Sequence, residues 1–222
     1  MKKLIDIEVR DCAIPSSLAD SIERKVLSDV FPWYLIRDVQ AEHLRDKENW
    51  RVAEDENTVN TVQFGYSAYS IDEKNQNPVQ SSFAETREIS DYCCENLDNF
   101  SPYYLRLKFN LLLNHTLVNR EKYNTPHIDS RLPNSYSMIY YVNDSDGDTI
   151  IFNEMVSPDK RERPEKLTIK RRITPKKNRM VIFDGNYLHA STNPVNSEKR
   201  VVLNINILNN LEEHELRHPK WF

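Results

Sequence analysis

Three residues of the chain, His127, Asp129 and His189, are of the types that bind a transition metal. In a β-strand, residues i and i+2 point to the same face, so His127 and Asp129 can converge on one ion. A third ligand has to come from elsewhere, and the candidate is His189, 62 residues after His127. Two imidazoles and one carboxylate are the ligand set of non-haem Fe(II) sites that leave coordination positions open for reactants. A His-x-Asp triplet also arises by chance, so this prediction needs a further feature to support it.

Arg200, eleven residues after His189, supplies that feature, because its planar guanidinium can bind a carboxylate through two parallel hydrogen bonds. It opens a strand-like segment whose side chains alternate between two faces. The first face holds Arg200, Val202, Asn204 and Asn206, and the second holds Val201, Leu203 and Ile205. A strand with one apolar face and one face of Arg and Asn is expected where the polar side lines a wet cavity.

The first hundred residues are predicted to mix helices and strands. Residues 4–9 alternate like an edge strand, and residues 58–69 are rich in β-prone Thr, Val, Phe and Tyr. A helix capped by Ser16 or Ser17 is predicted to follow the first strand, because apolar residues recur there at helical spacing. A second helix is predicted over residues 82–97.

After residue 100 the pattern is that of short strands separated by turns. They are predicted over residues 103–111, 136–142, 149–152, 167–173, 179–183 and 200–208. This spacing is typical of a sandwich or jelly roll. We therefore predict an α+β, mainly β chain: a double-stranded β-helix (jelly roll) buttressed by N-terminal helices. We expect a single domain over residues 1–222, with support from about 1–100 and the core from about 101–210.

Composition narrows the class of protein. The net charge is −4 and the sequence pI about 5.9, which argues against nucleic-acid phosphate as the main partner. Only three glycines occur, and none are clustered, so P-loop and Rossmann nucleotide sites are excluded. Three cysteines do not make a disulfide scaffold, and the chain has no apolar run of the ~20 residues that a membrane span needs. These features predict a cytoplasmic protein with no membrane partner.

Residues 160–179 stand apart in charge, with ten basic residues and two acidic ones. A solvated hairpin beside a strand would explain this composition. The alternative is a docking surface for an acidic partner or a nucleic acid.

The motifs together resemble the 2-oxoglutarate and Fe(II)-dependent oxygenases, specifically the prolyl 4-hydroxylase-like group. The matching pieces are, in order, His127-Ile128-Asp129, residues 137–143, residues 147–152, residues 173–183, His189 and Arg200. They cover about half of the chain, and their order is more specific than any one of them. Only Gly147 is present of the glycine pair that the family often places before the threonine at 149.

The resemblance implies a role for each matched residue. His127, Asp129 and His189 would bind Fe(II) as the catalytic centre, and Arg200 would pair with the distal carboxylate of 2-oxoglutarate. Tyr140 would help to line the co-substrate pocket. Asn204 would contact the co-substrate or an iron-bound water. O2 would be the second co-substrate, with ascorbate as an optional reductant.

The resemblance also implies hydroxylation of an unidentified substrate, with a peptidyl or free amino-acid side chain favoured. Two other functions stay open at this point. One is a β-sandwich module that holds a metal without redox chemistry, although such a module has no need of Arg200. The other is an oxygenase directed at nucleic acid, for which the basic residues 160–179 are the main argument.

Overall fold

The architecture comes from a computed structural model. It describes residues 6–36, 55–71, 78–80, 83, 85–95, 97, 102–115, 118–130, 132, 134–156 and 164–209. The helices are α1 (Ser16–Val26) and α2 (Glu85–Glu95), and the strands are β1 (Ile7–Asp11), β2 (Tyr34–Ile36), β3 (Thr58–Val59), β4 (Gln63–Ile71), β5 (Pro78–Gln80), β6 (Pro102–Leu113), β7 (Tyr123–Asn124), β8 (Ser135–Tyr141), β9 (Thr149–Met155), β10 (Ile169–Ile173), β11 (Arg179–Asp184), β12 (Tyr187–Ser191) and β13 (Lys199–Asn209).

Two antiparallel sheets carry the fold. The large sheet has the order β1-β11-β8-β13-β6-β4-β2, with β5 paired to β4, and the small sheet has the order β10-β9-β12. The sheets pack face to face, because one apolar cluster joins Tyr141, Val181 and Val202 of the large sheet to Ile151 and Ile173 of the small one. The predicted jelly roll is thereby confirmed.

The other face of the large sheet packs on the helices. Ile22 and Val26 of α1 and Ile89 of α2 are buried in the same cluster as Leu203 and Ile205 of β13. Removing these aliphatic side chains from water stabilises the contact by about 1.5–3 kcal/mol for each residue. The helices therefore buttress the sheet on the side away from the small sheet, as predicted.

Two local predictions for the N-terminal half, the cap of the first helix and the bounds of the first strand, differ from the structure. The first helix begins at Ser16, but Pro15 is its N-cap residue and no side chain caps it, so the predicted serine cap is wrong. The first strand runs from Ile7 to Asp11, later than predicted, and residues 4–5 lie outside the described residues. Residues 160–163 and the C-terminal residues 210–222 also lie outside them. In the ranges that are described, neither helix is long and apolar enough to cross a membrane.

The described part of the basic segment is tied to the N-terminal elements by ion pairs. Arg179 and Lys176 contact the carboxylate of Asp11 at 2.6 and 3.0 Å, and Lys177 contacts Asp20 and Glu23, each at 2.6 Å. These cations therefore meet carboxylates of β1 and α1 within the molecule. This arrangement resembles the predicted charged hairpin more than a free docking surface.

We expect Asp11→Asn to lower the free energy of unfolding at neutral pH by about 0.5–1 kcal/mol, because exposed ion pairs are screened by solvent. Hydrogen bonds from Arg179 and Lys176 lower the pKa of Asp11 from 3.8 to about 2. The carboxylate therefore stabilises the fold above about pH 4, and this contribution is lost as the pH falls through about 2. Urea unfolding between pH 7 and pH 2 tests this, with the exposed Asp29→Asn as a control. A difference that persists unchanged at pH 2 would contradict it.

Candidate metal centre

The backbone brings the two histidines of the predicted triad together. His127 follows the short strand β7, and His189 lies in the middle of β12. The two residues form an isolated antiparallel bridge in which each backbone N–H donates to the other residue's carbonyl oxygen at 3.0 Å. Their ring centroids are 4.6 Å apart. A pair far apart in sequence is thus held in register by the main chain.

The protonation of both rings follows from their neighbours. Nδ1 of His127 lies 3.1 Å from the carbonyl oxygen of Thr125, and Nδ1 of His189 lies 3.1 Å from that of Tyr187. Because a carbonyl oxygen can only accept, each Nδ1 donates a proton to it, and Nε2 is the atom of each ring left to bind a metal. Metal-binding histidines are commonly oriented in this way.

Asp129 completes the group, and its carboxylate is buried. Oδ2 lies 3.3 Å from Nε2 of His189, and Oδ1 lies 3.9 Å from Nε2 of His127. One potential ligand atom from each of the three residues lies within 4.8 Å of the others. Two imidazole nitrogens and one carboxylate oxygen suit Fe(II), so the residues present fit the predicted ion.

Four side chains of the large sheet donate hydrogen bonds to Asp129. Arg106 donates to Oδ1 at 2.8 Å, while Ser137 and Asn206 each donate to Oδ2 at 2.9 Å. Asn204 donates to both oxygens, at 3.2 and 3.3 Å. Asn204 also lines the cleft, and its contact with the co-substrate or an iron-bound water stays a prediction.

The surroundings of Asp129 explain why its carboxylate is ionised. Burial alone would raise the pKa of Asp129, but the nearby His189, Arg106 and His127 outweigh it and hold the pKa well below its usual value. Asp129 is therefore ionised and is a competent ligand over the whole physiological pH range.

Arg200 lines the same cleft and is buried, and it lies four residues before Asn204 on the same face of β13, away from Asp129. Its Nε donates to the carbonyl oxygen of Gly147 and a terminal nitrogen donates to Oγ1 of Thr149, both at 2.8 Å. Burial lowers the pKa of Arg200 from its usual value. No carboxylate is among its hydrogen-bond or ion-pair partners in the described residues. A buried guanidinium in this position favours an anionic ligand.

The cleft that holds the triad and Arg200 is partly open to solvent. Its lining residues are Gln63, Arg106, Lys108, Asn110, His127, Asp129, Ile139, Thr149, His189, Ala190, Ser191, Arg200, Val202 and Asn204. The wall from β6 and the start of β4 is polar, whereas Ile139, Val202 and Ala190 supply apolar surface.

The predicted role of Tyr140 is wrong. Tyr140 pairs with Leu203, and both side chains belong to the core that faces the helices, on the side of the sheet away from the cleft. Its neighbour Tyr141 pairs with Val202 on the cleft side, and its hydroxyl donates to Oγ1 of Thr149 at 2.7 Å. The side-chain period of two places Tyr141, not Tyr140, beside Arg200.

Sequence reasoning missed Arg106 and Ser137 as contacts of the triad. The signal for Arg106 is visible, because residues 106, 108 and 110 are polar while Leu107, Phe109 and Leu111 alternate with them. This is the same pattern that identified the cleft face of β13. Ser137 carried no signal of its own.

The comparison with protein families finds a match in the C-terminal part of the chain. Residues 112–208 match the family model described as the 2OG-Fe(II) oxygenase superfamily. The match covers less than half of the 222 residues. No curated protein sequence matches the chain.

Solved structures of 2OG-Fe(II) oxygenases show the same fold at low identity. The non-haem α-ketoglutarate-dependent epimerase SnoN from nogalamycin biosynthesis is 10% identical, with a TM-score of 0.53 over 91% of this chain and 78% of that one. A prolyl hydroxylase from Trichoplax adhaerens, in complex with a hypoxia inducible factor peptide, is 13% identical, with a TM-score of 0.50 over 96% of this chain and 87% of that one. At such identities the likeness is one of fold.

The match to the 2OG-Fe(II) oxygenase model over residues 112–208 indicates a dioxygenase that uses Fe(II), 2-oxoglutarate and O2, as predicted. The cluster of His127, Asp129 and His189 agrees with this cofactor set. The alternative of a metal-binding module without redox chemistry is therefore not supported.

Gly147 is required where the chain passes Arg200. A Cβ atom at this position would lie 2.9 Å from Cδ of Arg200 and 2.7 Å from the backbone oxygen of Thr192. We therefore expect Gly147→Ala to destabilise the fold by about 1–3 kcal/mol, because backbone atoms cannot move aside cheaply. Urea unfolding measures this effect. Equal stability of the variant and the wild type would show that the turn can adapt.

Proposed function

We propose that the protein is a 2-oxoglutarate- and Fe(II)-dependent hydroxylase in which His127, Asp129 and His189 bind the iron and Arg200 binds the co-substrate. The observation that carries this proposal is the presence of both parts in one cleft: the three ligand atoms within 4.8 Å of each other and a buried guanidinium at the far end. Bound iron, 2-oxoglutarate and O2 together supply the oxidising chemistry, with succinate and carbon dioxide as by-products.

Arg200 anchors the distal carboxylate of 2-oxoglutarate. Gly147 and Thr149 hold the guanidinium at two of its nitrogens, so its direction is set before the co-substrate arrives. Such preorganisation lowers the entropic cost of binding. Thr149 is itself held by the hydroxyl of Tyr141, which extends the support to β8.

The two histidines are fixed by the bridge between β12 and the segment of His127, and their Nδ1 protons are committed to carbonyl oxygens. Each ring therefore offers only its Nε2 to the cleft. The apolar side chains of Ile139, Val202 and Ala190 exclude some of the water from the space between the triad and Arg200. A charged hydrogen bond is stronger in such surroundings.

For the prime substrate we propose a peptidyl or free amino-acid side chain. The polar cleft wall formed by Gln63, Lys108 and Asn110 offers hydrogen-bonding groups that suit a peptide or amino acid. The fold shared with a prolyl hydroxylase whose structure contains a peptide supports this choice. No described feature favours nucleic acid, because the described cations 176, 177 and 179 of the basic segment are ion-paired within the molecule.

The proposal also includes the domain organisation and the cellular location of the protein. We propose one domain over residues 1–222, since the helices share one apolar cluster with the large sheet, and the large sheet shares another with the small sheet. We also propose a cytoplasmic location, because Cys12, Cys93 and Cys94 are all free thiols, as is usual in a reducing compartment.

The direct test is a titration with Mn(II) and N-oxalylglycine, followed by a hydroxylation screen of peptides and amino acids by mass spectrometry. We expect one Mn(II) per chain, N-oxalylglycine binding that requires the metal, and a gain of one oxygen atom on a peptide or amino acid. Absence of metal-dependent N-oxalylglycine binding would contradict the function. Hydroxylation of an oligonucleotide alone would contradict the substrate class.

We expect His189→Ala to abolish Mn(II) binding and iron-dependent turnover of 2-oxoglutarate, because it removes one of three ligands. Its circular dichroism spectrum should match that of the wild type, since the backbone bridge to His127 does not use the side chain. The exposed His115→Ala is the control and should retain both properties. Retained turnover in the His189 variant would exclude the triad.

We expect Arg200→Met to weaken N-oxalylglycine binding by about 10- to 100-fold, because a buried charge-assisted hydrogen bond is lost. Mn(II) binding measured without N-oxalylglycine should change far less. The exposed Arg171→Met controls for the loss of one positive charge. If metal and N-oxalylglycine binding fell equally, the assignment of Arg200 as the anchor would be wrong.

A further inference from the structure

Arg106 and Asp129 form an ion pair inside the cleft that neither the metal nor the co-substrate explains. The distance from a terminal nitrogen of Arg106 to Oδ1 of Asp129 is 2.8 Å, and the Asp129 side chain is 1% exposed. The guanidinium of Arg106 therefore partly neutralises the carboxylate that is proposed to bind iron. It competes with the metal for the same negative charge.

The pair is built into the sheet. Arg106 of β6, Asn206 of β13 and Ser137 of β8 stand in one row across three adjacent strands, since Asn206 pairs with both of the others. Residues in register on neighbouring strands point to the same face, so the three side chains meet under Asp129. Nε of Arg106 also donates to Oδ1 of Asn206 at 2.9 Å, which orients the amide that donates to Asp129.

The hydrogen bonds limit how Asp129 can bind a metal. A carboxylate has about four lone-pair sites. The bonds from Arg106, Ser137 and Asn206 are all 2.9 Å or shorter, and Asn204 is shared between the two oxygens. Oδ1 accepts one of the three short bonds and Oδ2 accepts two, so Oδ1 has more room for a metal bound through a single oxygen.

From this geometry we propose that Arg106 is a positioning residue that neutralises the charge of Asp129. The positive charge of the bound metal is then balanced mainly by the dicarboxylate co-substrate and not by the protein. The inference rests on the proposed function of the triad. With Asp129 and Arg106 cancelling, the protein ligands contribute no net charge against a divalent ion. The protein alone then holds the metal weakly, and the dianionic co-substrate strengthens its binding. Metal and co-substrate binding are thereby coupled, and the coupling is reciprocal.

The test measures Mn(II) affinity by electron paramagnetic resonance, with and without N-oxalylglycine, in the wild type and in Arg106→Met, Arg106→Gln and Arg106→Lys. Without N-oxalylglycine, we expect Arg106→Met and Arg106→Gln to bind Mn(II) about tenfold more tightly, because a positive charge near the ion is removed. Arg106→Lys keeps the charge and should stay within about threefold of the wild type, by the same argument.

The coupling gives a second readout that a purely structural role would not move. We expect N-oxalylglycine to raise the Mn(II) affinity about 100-fold in the wild type and about tenfold in Arg106→Met. Lys108→Met removes the same charge from the same face of β6, but Lys108 is not among the donors to Asp129. It should shift both quantities less than Arg106→Met does.

The outcomes separate this inference from the proposed function. If the wild type fails to bind Mn(II), or His189→Ala binds it equally well, the triad itself is wrong. If the wild type binds Mn(II) and folded Arg106→Met binds it equally or more weakly, Arg106 only supports Asp129 and the inference is overturned. Loss of the native circular dichroism spectrum in both uncharged variants would likewise assign Arg106 a structural role.

Discussion

The alternation of side chains along β13 is the constraint on which the rest of the structure depends. Leu203 and Ile205 bury their side chains against the helices, while Arg200 and Asn204 face the cleft. The strand lies at the centre of the large sheet, between β8 and β6, so its register sets that of both neighbours. A shift by one residue would move the guanidinium into the apolar core and the leucine into the cleft. Burial of Leu203 and Ile205 therefore fixes the side chains of Arg200 and Asn204 in the cleft.

The neighbouring strands repeat this division, and the site is built from their polar faces. A buried carboxylate is costly unless it is paired and hydrogen-bonded. The row of Arg106, Asn206 and Ser137 supplies these partners to Asp129 from three different strands. The small sheet contributes His189 from the opposite side. The centre thus forms only when the two sheets are packed, so that folding and assembly of the site are one event.

Much of this could be predicted from the sequence, because the period of two is a local property. The polar and apolar faces of residues 200–206 and the jelly roll followed from residue types and spacing. His127 and Asp129 lie together, but in an isolated bridge and a bend and not on one strand as expected. The role of Tyr140 was wrong because resemblance placed it, whereas the pairing of Tyr140 with Leu203 would have placed it in the core. The contacts of Arg106 depend on which strand lies beside β13. That is a property of the topology, so residue 106 gave no sign of its partner at residue 129.

The charge balance of the cleft links the two ends of the site. Arg200 has no carboxylate partner in the described structure, whereas Arg106 has Asp129. Arg200 is thus available to bind an anionic ligand, whereas Arg106 is paired within the protein. Under the proposed function, a dicarboxylate that reaches from the metal to Arg200 would meet an ion whose charge the protein has not cancelled. The metal would attract one end and the guanidinium the other, so a ligand that can reach only one of them would bind weakly. Such a site selects for a ligand with two acidic groups at a set spacing, as 2-oxoglutarate has.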